Sequence, residues 1–140
     1  MGTIETFDHT ADVGLRIIAD DLDDLFRTAA EGVFDYIVAN RDQVREVEEE
    51  SVSLSADDPA TLLVDWLNEL IFRCETRHRL YSRFDVGLAD EGRVLKGAIR
   101  GEPIDRDRHV LDHEVKAVTH HGLTLRREAS HWLAELILDI

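Results

Sequence analysis

The chain has 140 residues, 44% of them hydrophobic and 33% charged, which suits one domain built around one core. A formal net charge of −14 excludes a whole-surface attraction to nucleic acid or to anionic lipid. The single cysteine, Cys74, excludes an internal disulfide and a Cys-based zinc site. No apolar run approaches the roughly 18 residues of a membrane span, and the first residues lack the basic and apolar regions of a secretory signal. The expected location is therefore the cytoplasm, with neither membrane nor DNA among the partners.

In chain order, residues 3–7 and 13–19 read as strands joined through His9-Thr10-Ala11-Asp12. The second alternates, with Val13, Leu15, Ile17 and Ala19 on one face. Asp20-Asp21 supplies an N-cap for a first helix, and Asp23 and Asp24 suit the positive end of its dipole. Leu22, Leu25, Phe26, Ala29, Val33 and Ile37 recur at helical spacing. Residues 44–54 alternate again and are expected to be a strand, with the acidic run Glu48-Glu49-Glu50 forming a bulge or a solvated edge. Asp58-Pro59 caps and starts a second helix, whose stripe is Leu63, Trp66, Leu67, Leu70, Ile71 and Cys74.

The remainder reads as strands: 80–88 and 93–101 around a turn at 89–92, a charged loop over 102–112, then 113–119, 123–127 and 131–140, with Gly122 and Glu128-Ala129-Ser130 at turns. Two helices among seven or eight strands with short connections predict a two-layer α+β domain spanning 1–140. The helices would cover one face of a mostly antiparallel sheet.

The last strand is almost wholly apolar and no polar tail follows it. Chain ends usually fray, so this one is expected to be docked in the sheet. Docking would hold Asp139 close to the terminal carboxylate of Ile140. Two rigid anions repel unless something positive neutralises them, either a hard cation or an Arg or Lys. Asp12 is the candidate third group. Carboxylates suit Mg²⁺ or Ca²⁺, although an Asp after a strand also serves as a cap or turn residue.

Other chemistry is thin. Among the seven histidines, no pair has the HExxH spacing of a zinc protease. His9 and His121 are the two nearest to a candidate role, while adjacent His120 and His121 would point to opposite faces of a strand. Cys74 falls on an apolar stripe, where a buried thiol is inert. No nucleophile elbow and no glycine-rich phosphate loop are present. Arg73, Arg77, His78, Arg79 and Arg83 form either a docking patch for phosphates or an acidic partner, or a set paired with Glu69 and Glu75.

Together, His9-Thr10-Ala11-Asp12, Asp65-Trp66-Leu67-Asn68-Glu69-Leu70-Ile71-Phe72, Arg108-His109, the stretch from Glu114-Val115-Lys116 to His121-Gly122-Leu123, and Asp139-Ile140 resemble the archease family. His120 departs from that pattern, standing where the family usually has an aromatic residue. The resemblance implies an α+β fold related to strand–helix–strand–strand modules. It also implies an accessory factor, without turnover of its own, for an RtcB-type RNA-splicing ligase. Such a factor promotes ligase guanylylation and multiple turnover in tRNA splicing, and it meets tRNA only through the ligase. The resemblance further implies a divalent metal, calcium with magnesium or manganese as alternatives, at the positions of Asp12, Asp139 and Ile140. His9, Glu114, Lys116 and His121 would belong to the functional surface. The competing expectations are a metal-dependent hydrolase acting on a phosphate or ester, and a chaperone-like protein-interaction module.

Overall fold

A computed structural model describes residues 2–9 and 12–140, without the side chains of Asp8 and His9. The chain begins with strands β1 (Thr3–His9) and β2 (Asp12–Ala19), then helix α1 (Leu22–Ile37). A short 3-10 turn at Arg41–Gln43 leads to β3 (Glu48–Ser55) and helix α2 (Pro59–Arg77). Strands β4 (Arg79–Ala89), β5 (Val94–Pro103), β6 (Ala117–Glu128) and β7 (His131–Asp139) follow.

The helices start where the capping chemistry places them. Asp21 accepts the Asp24 N–H at 2.8 Å, and Asp58 accepts the Thr61 N–H at 2.8 Å with Pro59 in the first turn. α2 ends at His78: its N–H still bonds to the Cys74 carbonyl, and its left-handed φ of 54° then turns the chain out of the helix. Leu63, Trp66, Leu67, Leu70, Ile71 and Cys74 are all buried. The indole of Trp66 donates to the Phe26 carbonyl at 3.0 Å, tying α2 to α1.

The fold class is α+β as expected, but the strands divide between two antiparallel sheets rather than forming one. The first has the order β1-β2-β7-β6 and the second β3-β5-β4. α1 packs on β2 and β4, and α2 on β6, β4 and β3, so the helices bridge the sheets. Leu15, Ile17, Leu136 and Leu138 of the first sheet and Tyr81, Phe84, Leu95 and Ile99 of the second join the helix stripes in one continuous core. Chain order cannot announce this division, because the first sheet closes through β2 and β7, from opposite ends of the sequence. Among the described residues, no helix is long and apolar enough to cross a membrane.

Strand boundaries differ from expectation in two regions. Residues 44–46 are not yet in the ladder: Val44 N–H bonds to the Arg41 carbonyl and Arg45 N–H to the Glu102 carboxylate. Residues 113–116 are not a strand, while 117–128 form one strand instead of two. Gly122, at φ 73°, sits within a register shift between Thr119 and Thr124 instead of ending the strand.

Candidate functional site

Antiparallel register decides which carboxylates meet. β2 pairs with β7 through Val13–Leu138 and Leu15–Leu136, so the next step brings Asp12 alongside Asp139. The same row continues outward, because His9 pairs with Asp12 across β1 and β2, and Ala117 with Asp139 across β6 and β7. Side chains alternate along a strand. Leu15, Leu136 and Leu138 are buried against the helices, which puts Asp12 and Asp139 on the opposite, outer face with Arg16 and Glu135.

That outer face is stiff. Arg16 bridges Glu5 and Glu135, the latter at 2.9 Å, and lies over the Phe7 ring at 5.2 Å from its centroid. The ring in turn covers Gly14, where a Cβ would come within 2.1 Å of it. The carboxylate pair thus ends a braced surface.

Among the described residues, neither Asp12 nor Asp139 is paired with an Arg or Lys. Nor does any group of three His, Cys, Asp or Glu side chains converge as a ligand set. The donors at this corner are the two carboxylates and, next to Asp139, the half-exposed Ile140 with its carboxylate. An all-oxygen donor set with no Arg or Lys paired to its two aspartates among the described residues fits a hard divalent ion.

The other candidate residues are only partly gathered here. Lys116 adjoins the pair: its N–H donates to the Asp139 carbonyl at 2.8 Å. Glu114, two residues earlier, lines an apolar cavity instead. His121 is exposed in the β6 irregularity, several residues from Ala117, with its N–H donating to Thr119 Oγ1 at 3.0 Å. His120 is also exposed. The His9 side chain, Thr10 and Ala11 lie outside the described residues.

The arginine patch and the acidic run, read separately from sequence, neutralise each other. Glu50 receives Arg73 at 3.4 Å, Arg77, and the Tyr81 hydroxyl at 2.7 Å. Arg79 reaches Glu48, Arg83 reaches Glu46 at 3.6 Å, and Arg73 also holds Glu69 at 2.7 Å. The pairing expectation stands for Glu69, with β3 and Glu46 just before it supplying the other partners instead of Glu75.

A buried cluster escaped the sequence reading. Glu102 is 5% exposed and accepts from Arg45 N–H, Arg108 and His109 Nε2. Burial opposes its charge, but these donors outweigh that and hold the carboxyl at about 2. His109 Nδ1 accepts the Asp105 N–H at 2.9 Å, so both ring nitrogens are occupied by protein. This resembles a catalytic dyad in composition only, since no substrate proton can reach it. Arg108-His109 was visible as a motif fragment, but nothing in a charged loop marked Glu102 as their partner. Burial likewise pushes the Cys74 thiol up to about 11, which leaves it un-ionised.

Similarity to known proteins follows this geometry along the whole chain. The family model described as the Archease protein family (MTH1598/TM1083) matches residues 4–140. A protein archease of Methanopyrus kandleri is 41% identical over 97% of this chain and 98% of its own length. One from Methanothermobacter thermautotrophicus is 37% identical over 100% of both. The solution structure of Methanobacterium thermoautotrophicum protein 1598 superposes with a TM-score of 0.80 at 34% identity, covering 98% of each chain. A Thermotoga maritima crystal structure, described as an archease and possible chaperone, shares the fold with a TM-score of 0.67 at 19% identity, covering 97% of this chain and 96% of that one.

Proposed function

The chain belongs to the archease family, and on that premise we propose that it is an accessory factor of an RtcB-type RNA ligase. In this reading it promotes ligase guanylylation and multiple turnover in tRNA splicing and performs no turnover of its own. The observation that carries the reading is the Asp12–Asp139 corner, two carboxylates aligned by register on a braced face without a cationic partner among the described residues. Asp12, Asp139 and the Ile140 carboxylate would hold a divalent ion there, calcium first, with magnesium or manganese as alternatives. Such an ion would supply positive charge where phosphates are being transferred.

The chain's own residues orient and present that corner. β2 and β7 fix the spacing of the carboxylates, and the Lys116 N–H anchors the strand at Asp139. A charge of −14 suits docking on a basic ligase better than on RNA. A hydrolase would need a base that substrate can reach, and the one buried carboxylate–imidazole pair among the described residues is closed on both sides.

The test combines thermal unfolding with and without Ca²⁺, Mg²⁺ or Mn²⁺ and ligase turnover at limiting ligase with excess broken RNA. Asp12→Ala, Asp139→Ala and an extension beyond Ile140 should each lose metal-dependent stabilisation and ligase activation while remaining folded. Full activation by all three would remove the metal-site reading. Hydrolysis of nucleotides or model esters by the protein with metal alone would favour the enzyme reading.

A further inference from the structure

We propose that the cavity between the C-terminal ends of α1 and α2 is a docking pocket for a basic protein segment, with one large apolar side chain inside and a Lys or Arg on either side. The partner's identity rests on the ligase reading above; the chemistry of the segment does not. The cavity measures about 330 Å³, and its apolar walls include Ile37, Ile71, Leu80, Ile104, Leu111 and Val115. That volume falls at the lower end of ligand pockets, about 300–1,000 Å³, enough for a side chain and its flanks.

The wall formed by residues 104–115 is pinned along its length, which separates a preformed pocket from a packing gap. Ile104 N–H bonds to the His78 carbonyl at 2.9 Å, and Asp112 N–H to the Ile37 carbonyl at 2.8 Å. Val38 and Leu111 form a β-bridge. Asn40 holds both the Arg108 carbonyl and the Val110 N–H. His113 stacks on Tyr36 with centroids 4.2 Å apart.

The rim supplies the charge argument. The exposed charged residues lining the cavity are Glu75, Asp112 and Glu114 against one arginine, Arg106, with the exposed His78 and His113 beside them. Among the described residues, the Asp112 carboxylate meets only the exposed His113, at 3.4 Å. Glu75 and Glu114 have no cationic partner among the described residues, in contrast to the acids of β3. An apolar floor under an acidic rim selects a basic segment with an apolar anchor. The wall also runs directly into the candidate metal corner: Val115 lines the cavity and Lys116, the next residue, bonds to Asp139. A partner seated in the pocket would lie next to the backbone that reaches Asp139, on the helix side of the sheet whose outer face carries the carboxylate pair.

The test uses two probes. The first is the peptide Ac-Lys-Arg-Leu-Arg-Lys-NH2 against its counterpart with glutamates for the basic residues, followed by NMR on backbone amides 111–116 and the Tyr36 ring. The basic peptide should give saturable shifts there, the acidic one none, and the double variant Glu75→Lys with Glu114→Lys should weaken binding at least tenfold. The second is the RtcB-type ligase, measured by calorimetry. The rim variant should bind it at least tenfold more weakly, with an unchanged unfolding temperature, and Leu111→Trp, which fills the cavity, should do the same. Asp12→Ala should still bind while failing to activate. Peptide shifts elsewhere, or shifts that survive rim reversal, overturn the pocket. Equal ligase binding by parent and rim variant overturns its role in docking but leaves the ligase reading standing. If the parent does not bind ligase, that reading falls, and the peptide result alone decides the pocket.

Discussion

Replacing Glu102 with Gln tests the buried cluster through the pH dependence of stability. The Glu102 carboxyl is held at about 2, below its ordinary 4.5. A depressed carboxyl stabilises the fold above its unfolded value and loses that contribution as pH falls through the folded one. The shift corresponds to about 3 kcal/mol at neutral pH, of which about 2 kcal/mol disappears between pH 7 and pH 3. Glu102→Gln removes the charge that Arg108 and His109 address and sets an amide donor among existing donors. It should therefore cost about 3 kcal/mol at pH 7, in line with losing charged hydrogen bonds in a buried site. The assay is urea unfolding of parent and variant at both pH values. The variant should lose about 2 kcal/mol less than the parent on acidification. Parallel pH profiles would refute the reasoning, because they would place the depressed carboxyl elsewhere.

Trp66→Ala should destabilise by about 3–5 kcal/mol in chemical denaturation, since the side chain is fully buried and its indole bonds to Phe26; a loss below about 1 kcal/mol would contradict its central position. Asn68 grips Val118 twice, accepting its N–H at 2.7 Å and donating to its carbonyl at 3.0 Å. Asn68→Ala should cost about 1–3 kcal/mol by stranding both groups, Asn68→Asp should restore only the N–H contact, and faster amide exchange at Val118 should report the loss. The protein alone should not bind tRNA with sub-micromolar affinity at physiological salt, because its arginine patch is already neutralised; filter binding that shows otherwise would reopen that patch as an RNA site.

The local chemistry was legible. Asp21 and Asp58-Pro59 marked both helix starts, and the apolar stripes gave both buried faces, because capping and 3.6-residue periodicity are properties of neighbouring residues. Pairing was not legible. That Glu50 collects Arg73, Arg77 and Tyr81 depends on β3 lying beside the end of α2, and that β2 accepts β7 depends on the whole chain having folded. Gly122 read as a turn because a positive-φ glycine looks the same in a turn and in a strand irregularity. Residues 113–116 read as the start of a strand, yet Val115 is buried as a wall of the cavity rather than in a ladder. The Asp12–Asp139 corner was anticipated from the apolar final strand and from family resemblance. Its neighbour Glu114 was grouped with it because sequence distance hides the fact that Glu114 borders the cavity and Lys116 the corner.

The position of β7 also has a kinetic consequence. Arg16 and Glu135, which bond across β2 and β7, are 119 positions apart. The β1–β2 hairpin is local and can form early, but the inner edge of β2 must wait until nearly all of the chain has been made. Closing so long a loop slows folding, and in the interval β2 offers an unpaired edge to any other strand in solution. The two carboxylates become neighbours only at this last closure. A nascent chain carries Asp12 without Asp139, and a misfolded one holds both without pairing them, so the corner comes into being only with the finished fold.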